Sequence, residues 1–205
     1  MDNAVETILR EFEARSEREW EQIQKMDMLK MQRHLDEFLL SVGPATGQLI
    51  NLLAKEAKAQ TIVEVGSSYG YSTVWLAEAA RETGGRVISI EIHEEKQKHA
   101  RASIEKAGLS GFVDFRLGDA RDSLVKLDAS IDFVLLDLWK DLYVPCFDLF
   151  YPKLSLGALI AADNMIFPES ARQHAEAYRK HVRSKEDMQS VLLPVGSGIE
   201  LSRYK

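Results

Sequence analysis

From Thr61 onward the chain alternates short apolar runs with longer amphipathic segments, and few folds accept that pattern. The runs are "TIVEVG", "RVISIE", "FVDFRLG", "IDFVLLD" and "GALIAADN", each closed by a turn signal as buried strands are. Helical patterns fill the intervals around 71–83, 94–107, 119–127, 140–151 and 169–183. Strands separated by a crossover helix pair in parallel, so this portion predicts a parallel sheet covered by helices on both faces. The last segment, "MQSVLLPVGSGIELSRYK", holds two strand-like runs joined by "PVGSG" with no helix between them. A hairpin of that kind adds one antiparallel strand, giving a seven-stranded, mostly parallel sheet in an α/β fold.

Up to about residue 58 the pattern is helical instead. A charge-rich opening segment is followed by "MDMLKMQRHLDEFLLSVG" and by "PATGQLINLLAKEAKA", where Pro44 suits a first helical turn. These segments read as helices packed on or over a core built by 59–205, the 205 residues forming one domain. A net charge of −6 works against a polyanionic partner and favours a small molecule over nucleic acid. Cys146 is the only cysteine, so no internal disulfide can form; the N-terminus has no signal-peptide core, and no apolar run reaches membrane-spanning length. A cytoplasmic protein without a membrane partner is expected.

In such a sheet a ligand lies beyond the carboxyl ends of the strands. Those ends are "EVGSSYGYS", "IEIHEE", "LGDARDS", "DLWKDLY" and "ADNMIFP". Gly66 and Gly70 frame a turn into a helix, where backbone N–H groups can approach a ligand; the turn is not GxGxxG, so a dinucleotide fits poorly. Glu91 follows about 20 residues later, the usual spacing of a ribose-hydroxyl acceptor. Asp119 suits an adenine amine and a helix N-cap equally. The three together imply a nucleoside ligand without a pyrophosphate.

With the terminal hairpin, this pattern resembles the class I S-adenosylmethionine-dependent methyltransferases, which are Rossmann-like. The segments "VEVGSSYGYS", "DLWKDLY" and "AADNMIFP" are similar to those of the metal-dependent catechol O-methyltransferase family, from about Phe38 to the C-terminus. The resemblance implies that Glu64, Gly66, Ser67, Tyr69, Ser72 and Glu91 hold the methionine and ribose ends of S-adenosylmethionine. Val42, Ile92, Asp119, Ala120, Asp137 and Trp139 would surround the rest of it.

Asp137 with Asp163 and Asn164 supplies hard oxygen ligands at two strand ends, which suits Mg²⁺ or a similar divalent cation. Zinc is not expected: in "HEEKQKH" the spacing of His93 and His99 is unlike HExxH, and His174 and His181 read as surface residues. A divalent cation that chelates a catechol eases ionisation of its hydroxyl, and Lys140 is then placed to take the proton. The resemblance puts Phe38, Leu40 and Pro168 around the acceptor ring, with Lys140 and Asn164 beneath it. It also puts Leu193 where the animal catechol enzymes carry a glutamate, which leaves regioselectivity open. Residues 1–27 depart from those monomeric enzymes and read as a dimerisation element, a lid or a solvated helix. The expected activity is O-methylation of a catechol-like small molecule. The alternative is modification of a hydroxylated nucleoside in transfer RNA, for which Arg172, Arg179, Lys180, Arg183 and Lys185 would have to form a basic patch.

Overall fold

The computed structural model describes residues 1–26 and 37–205. In chain order the elements are α1 (Asn3–Lys25), α2 (Gly43–Glu56), β1 (Thr61–Val65), α3 (Tyr71–Thr83), β2 (Arg86–Glu91), α4 (Glu94–Lys106) and β3 (Val113–Leu117). They continue with α5 (Ala120–Val125), β4 (Ile131–Leu136), α6 (Tyr143–Phe150), β5 (Leu154–Ala162), α7 (Arg172–Arg183), β6 (Met188–Leu193) and β7 (Ile199–Tyr204). Most of the helix expected over "MDMLKMQRHLDEFLLSVG" falls on 27–36, outside the described residues. Its end is not helical: 38–42 is irregular, and Leu40 at φ 45° lies in the left-handed region that a leucine in a helix does not occupy.

The sheet has seven strands in the order β3-β2-β1-β4-β5-β7-β6. Only β7 runs against its neighbours, pairing Ala162 with Glu200 on one side and Leu192 with Glu200 on the other. The pattern expected of the C-terminal hairpin is therefore the one observed. β5 begins three residues before the apolar run that signalled it, because Gly157 at φ 86° lets the strand kink where its register with β4 shifts between Ile131 and Phe133.

Side-chain alternation assigns the two faces. Ile62 of β1 joins a core with α1, α2, α3 and α4, while Val63 and Val65 join the opposite core with α6 and α7. Helix α1 is capped by the Asp2 carboxylate, which accepts from Val5 N at 3.1 Å, and it buries Val5, Ile8, Leu9 and Phe12 in the first core. Burying four such side chains contributes roughly 1.5–3 kcal/mol each, enough to hold a charge-rich helix onto the sheet.

Strand order runs outward from the β1–β4 pair in both directions, so the chain ends leaving β1 and β4 diverge and open a crevice at the carboxyl edge. The described residues contain no helix long and apolar enough to cross a membrane.

Candidate active site

At the floor of the crevice the two central strands are pinned together. Asp137 N donates to Val65 O at 2.9 Å, and a Cβ on Gly66 (φ 92°) would stand 2.1 Å from Asp137 O. Gly70 (φ 99°) caps α3 against Ala100, where a Cβ would come within 2.7 Å. Both glycines are thus required by contact and by backbone angle. Glu91, at the end of β2, braces the turn between them by accepting from Ser68 N at 2.7 Å and His93 N at 2.9 Å.

Glu64 lies beneath this turn with 0% exposure. It accepts from Ser72 Oγ, Thr73 Oγ1 and Ser89 Oγ, each at 2.7 Å. Burial still pushes its carboxyl up to about 7, against the three hydroxyls that favour the charged form. With no exposed surface, any hold it has on a ligand runs through Ser72 and the start of α3. Ser67 is also buried, and its hydroxyl has no partner among the described residues.

A small cleft opens above, with Leu39–Val42 on one wall and Gly66, Ser67, Ser72 and Asp137 on the other. Apolar side chains collect at the same edge: Leu40, Ile92, Leu117, Trp139, Ile166 and Phe167 are all exposed. Trp139 is 52% exposed, so it is not a core aromatic. A ring of uncovered apolar groups around a polar floor is the arrangement of a ligand site. A larger open hollow at the amino edge, lined by Lys126, Asp128, Ser130 and Pro152, has no such floor.

Beside the cleft, Lys140 Nζ donates to Asp137 Oδ1 at 3.0 Å, Leu138 O at 2.9 Å and Tyr143 Oη at 2.7 Å. Its side chain is only 14% exposed, so it is held in place and not a solvated surface lysine. The Tyr143 hydroxyl in turn donates to Asp163 O at 3.2 Å, linking the β4 and β5 strand ends. Asp163 is 2% exposed and its Oδ1 has no partner among the described residues. Burial, then the charge of Asp137, push its carboxyl well above the usual range. Asn164 follows at φ 58°, a left-handed angle that asparagine tolerates. Among the described residues no group of three or more His, Cys, Asp or Glu side chains could hold a metal ion, so a cation here would rest on two carboxylates and the Asn164 amide.

The family model for O-methyltransferases matches residues 13–205. The chain belongs to this family. It is 31% identical to a caffeoyl-CoA O-methyltransferase of Petroselinum crispum over 186 residues, covering 80% of this chain and 77% of that one. It is 35% identical to a catechol O-methyltransferase of Niastella koreensis over 131 residues, 62% and 59% of the two chains. The structure of an O-methyltransferase from Bacillus cereus in complex with SAH superposes with a TM-score of 0.77 at 25% identity, over 100% of this chain and 92% of the other.

In this O-methyltransferase the predicted residues converge: Val42, Gly66, Ser67, Ser72 and Asp137 line one cleft, with Glu91, Ile92 and Trp139 at the same edge. Asp119 caps α5, accepting from Arg121 N at 2.8 Å, and is clasped by the Arg121 guanidinium at 2.6 Å; Ala120 opens α5 behind it. Tyr69 turns toward α1, its ring under the Arg15 guanidinium at 3.9 Å. Phe38 is buried, Leu40 exposed and Pro168 half-buried. Three residues of the basic patch are paired. Arg183 and Arg179 meet buried Glu200 at 2.7 and 3.4 Å, and Arg172 meets Glu169 at 2.5 Å. His174 is exposed as expected, whereas His181 is partly covered and pairs with Asp148 at 2.7 Å.

Sequence reasoning missed Tyr143, although it follows Lys140 at the three-residue spacing that puts neighbours on one helical face. It also missed Thr73, Ser89 and the contacts of α1 with 37–42, for which no local pattern gives a signal.

Proposed function

We propose that this protein transfers the methyl group of S-adenosylmethionine to a hydroxyl of a catechol-like aromatic small molecule, assisted by Mg²⁺ or a similar divalent cation. The observation that carries the reading is Asp163: a carboxylate 2% exposed, with one oxygen unpartnered among the described residues, beside a second carboxylate at the mouth of a cleft. A buried, unsatisfied acceptor is costly unless it serves a ligand. The names of the parsley and Niastella relatives support the acceptor class, and the SAH complex of the Bacillus cereus structure supports the cofactor.

Asp137, Asp163 and Asn164 fit a hard cation by donor type, two anionic oxygens and one amide. The cation, when bound, would lower the pKa of the acceptor hydroxyl and hold it by chelation. Glu91 accepts the ribose hydroxyls with the lone pairs its two backbone bonds leave free. Val42, Gly66, Ser67, Tyr69 and Ser72 enclose the methionine end; Ile92, Asp119, Ala120 and Trp139 surround the base. Phe38, Leu40 and Pro168 wall the acceptor ring. Lys140 takes the hydroxyl proton, held toward the site by Leu138 O and Tyr143 Oη. Holding the acceptor oxygen in line with the methyl group supplies much of the remaining acceleration.

The test is incubation with S-adenosylmethionine and a panel of catechols, with and without Mg²⁺, read by mass spectrometry. Methylated catechol that disappears with chelator is expected. Undiminished product in excess chelator would overturn the metal, and no product from any catechol would overturn the acceptor class.

A further inference from the structure

One face of α1, at residues 12, 15, 16 and 19, is turned toward the wall of the cleft and not toward solvent. The Glu19 carboxylate accepts from Leu39 N at 2.6 Å and is itself held by Arg15 Nε at 2.6 Å. The Ser16 and Ser41 hydroxyls meet at 3.1 Å. From the other side, Tyr69 Oη donates to Glu37 O at 3.0 Å and Ser68 Oγ to Leu39 O at 3.1 Å. Segment 37–42 is therefore tied on both sides, by two bonds to α1 and two to the glycine turn. One of these ties, Glu19 to Leu39 N, is charged and partly desolvated, with Glu19 17% and its partner Arg15 24% exposed, which makes it the strong one.

The tied segment carries strain. Leu40 sits at φ 45°, an angle costly for a branched side chain that persists only where the surroundings enforce it. Its neighbours supply that force: Leu39 is 1% exposed in the first core, and Val42 is buried at the start of α2. The strain holds Leu40 outward at the rim while Leu39–Val42 form a wall of the cleft. A strained segment released from one tie relaxes away from what it covers.

We infer that α1 is a clamp on the cofactor: Glu19, oriented by Arg15, is a positioning residue that keeps 37–42 closed over the cleft and so sets how long the cofactor stays bound. The inference rests on the cofactor half of the proposed function and is independent of the metal and of the acceptor. It gives the segment before α2 a role within its own chain.

The test compares wild type with Glu19→Gln, which keeps the side chain's shape but weakens the bond to Leu39 N. Stopped-flow release of S-adenosylhomocysteine and hydrogen exchange of the peptide spanning 37–42 are measured, with far-UV circular dichroism as a check on folding. Release faster by about tenfold is expected, with faster exchange at 37–42 and unchanged helix content. Arg15→Gln should act in the same direction, more weakly. Glu17→Gln, which removes an equal charge from the exposed side of α1, should match wild type. Unchanged release and exchange in Glu19→Gln overturn the clamp, as does an equal effect of Glu17→Gln. Wild-type protein that does not bind S-adenosylhomocysteine overturns the cofactor reading and the clamp with it.

Discussion

Lys140 Nζ has three acceptors around it, and two of them, Leu138 O and Tyr143 Oη, would remain if Asp137 took the proposed cation. A base at this position must first be neutral, a state open to an amine and closed to an arginine guanidinium. Lys140→Ala should lower kcat by roughly 10²–10⁴ while cofactor affinity stays within a few-fold, and Lys140→Arg should lose nearly as much. An Arg variant with substantial turnover would show that charge, and not proton transfer, is what the position supplies. Asp163→Ala should abolish turnover with cofactor affinity unchanged by calorimetry, since the proposed function gives Asp163 to the cation and not to the cofactor. Glu64 makes a prediction about stability. Its carboxyl is raised from 4.5 to about 7, so the folded state binds more protons than the unfolded one between those values, and stability falls as pH rises through that window. Fully developed, the shift is worth on the order of 3 kcal/mol. Glu64→Gln should flatten the slope of urea-unfolding free energy between pH 4.5 and 7, and an unchanged slope would mean that other groups cause it.

At the scale of elements, the glycine turn is where local geometry and site chemistry coincide. Gly66→Ala would drive a Cβ to 2.1 Å from Asp137 O at a φ of 92°, so either β1 and β4 separate or the turn rebuilds. A loss of roughly 2–4 kcal/mol in stability is expected, together with at least tenfold weaker cofactor binding, measured by denaturation and calorimetry. Alanine at Gly108, where nothing lies within 4 Å, should cost only the positive-φ strain and leave binding alone. The same turn explains what sequence could disclose. Gly66, Gly70, Glu91 and Asp137 stand where a strand's apolar run stops, so their place at the carboxyl edge follows from the alternation of strands and helices. Glu19 and Glu200 act across elements distant in sequence, and a pattern confined to one segment cannot report that. Leu40 fails for another reason: the run "FLLSV" is apolar enough to continue a helix, and only the tertiary ties to α1 and the turn hold it in a left-handed angle.

For the molecule as a whole, the segment proposed to face the acceptor depends on how the C-terminal hairpin is anchored. Met165 N donates to Gly198 O at 2.9 Å and Ile166 N to Ser197 O at 2.9 Å, so the segment after Asn164 leans on the hairpin turn. The hairpin in turn is fastened to α7 through Glu200. That carboxylate has no exposed surface, receives Arg183 Nε at 2.7 Å and Nη2 at 3.0 Å, and accepts from Ser190 Oγ at 2.5 Å. Desolvating a carboxylate is repaid only while its partners remain, so removing one partner costs more than the pair contributes. Arg183 is 42% exposed and Arg179 stands by at 3.4 Å, which softens the loss. Arg183→Met should therefore destabilise by roughly 2–3 kcal/mol, below the 3–5 of a fully buried pair. Adding Glu200→Met removes the stranded charge, and the double variant should recover at least half of that loss by urea denaturation. Its catechol turnover should return with its stability if the hairpin matters only as a brace. Recovered stability with turnover still depressed would instead mean that the Arg183–Glu200 pair sets the geometry of the acceptor wall, and a double variant no more stable than Arg183→Met would show that Glu200 needs no partner beyond Ser190 and Arg179.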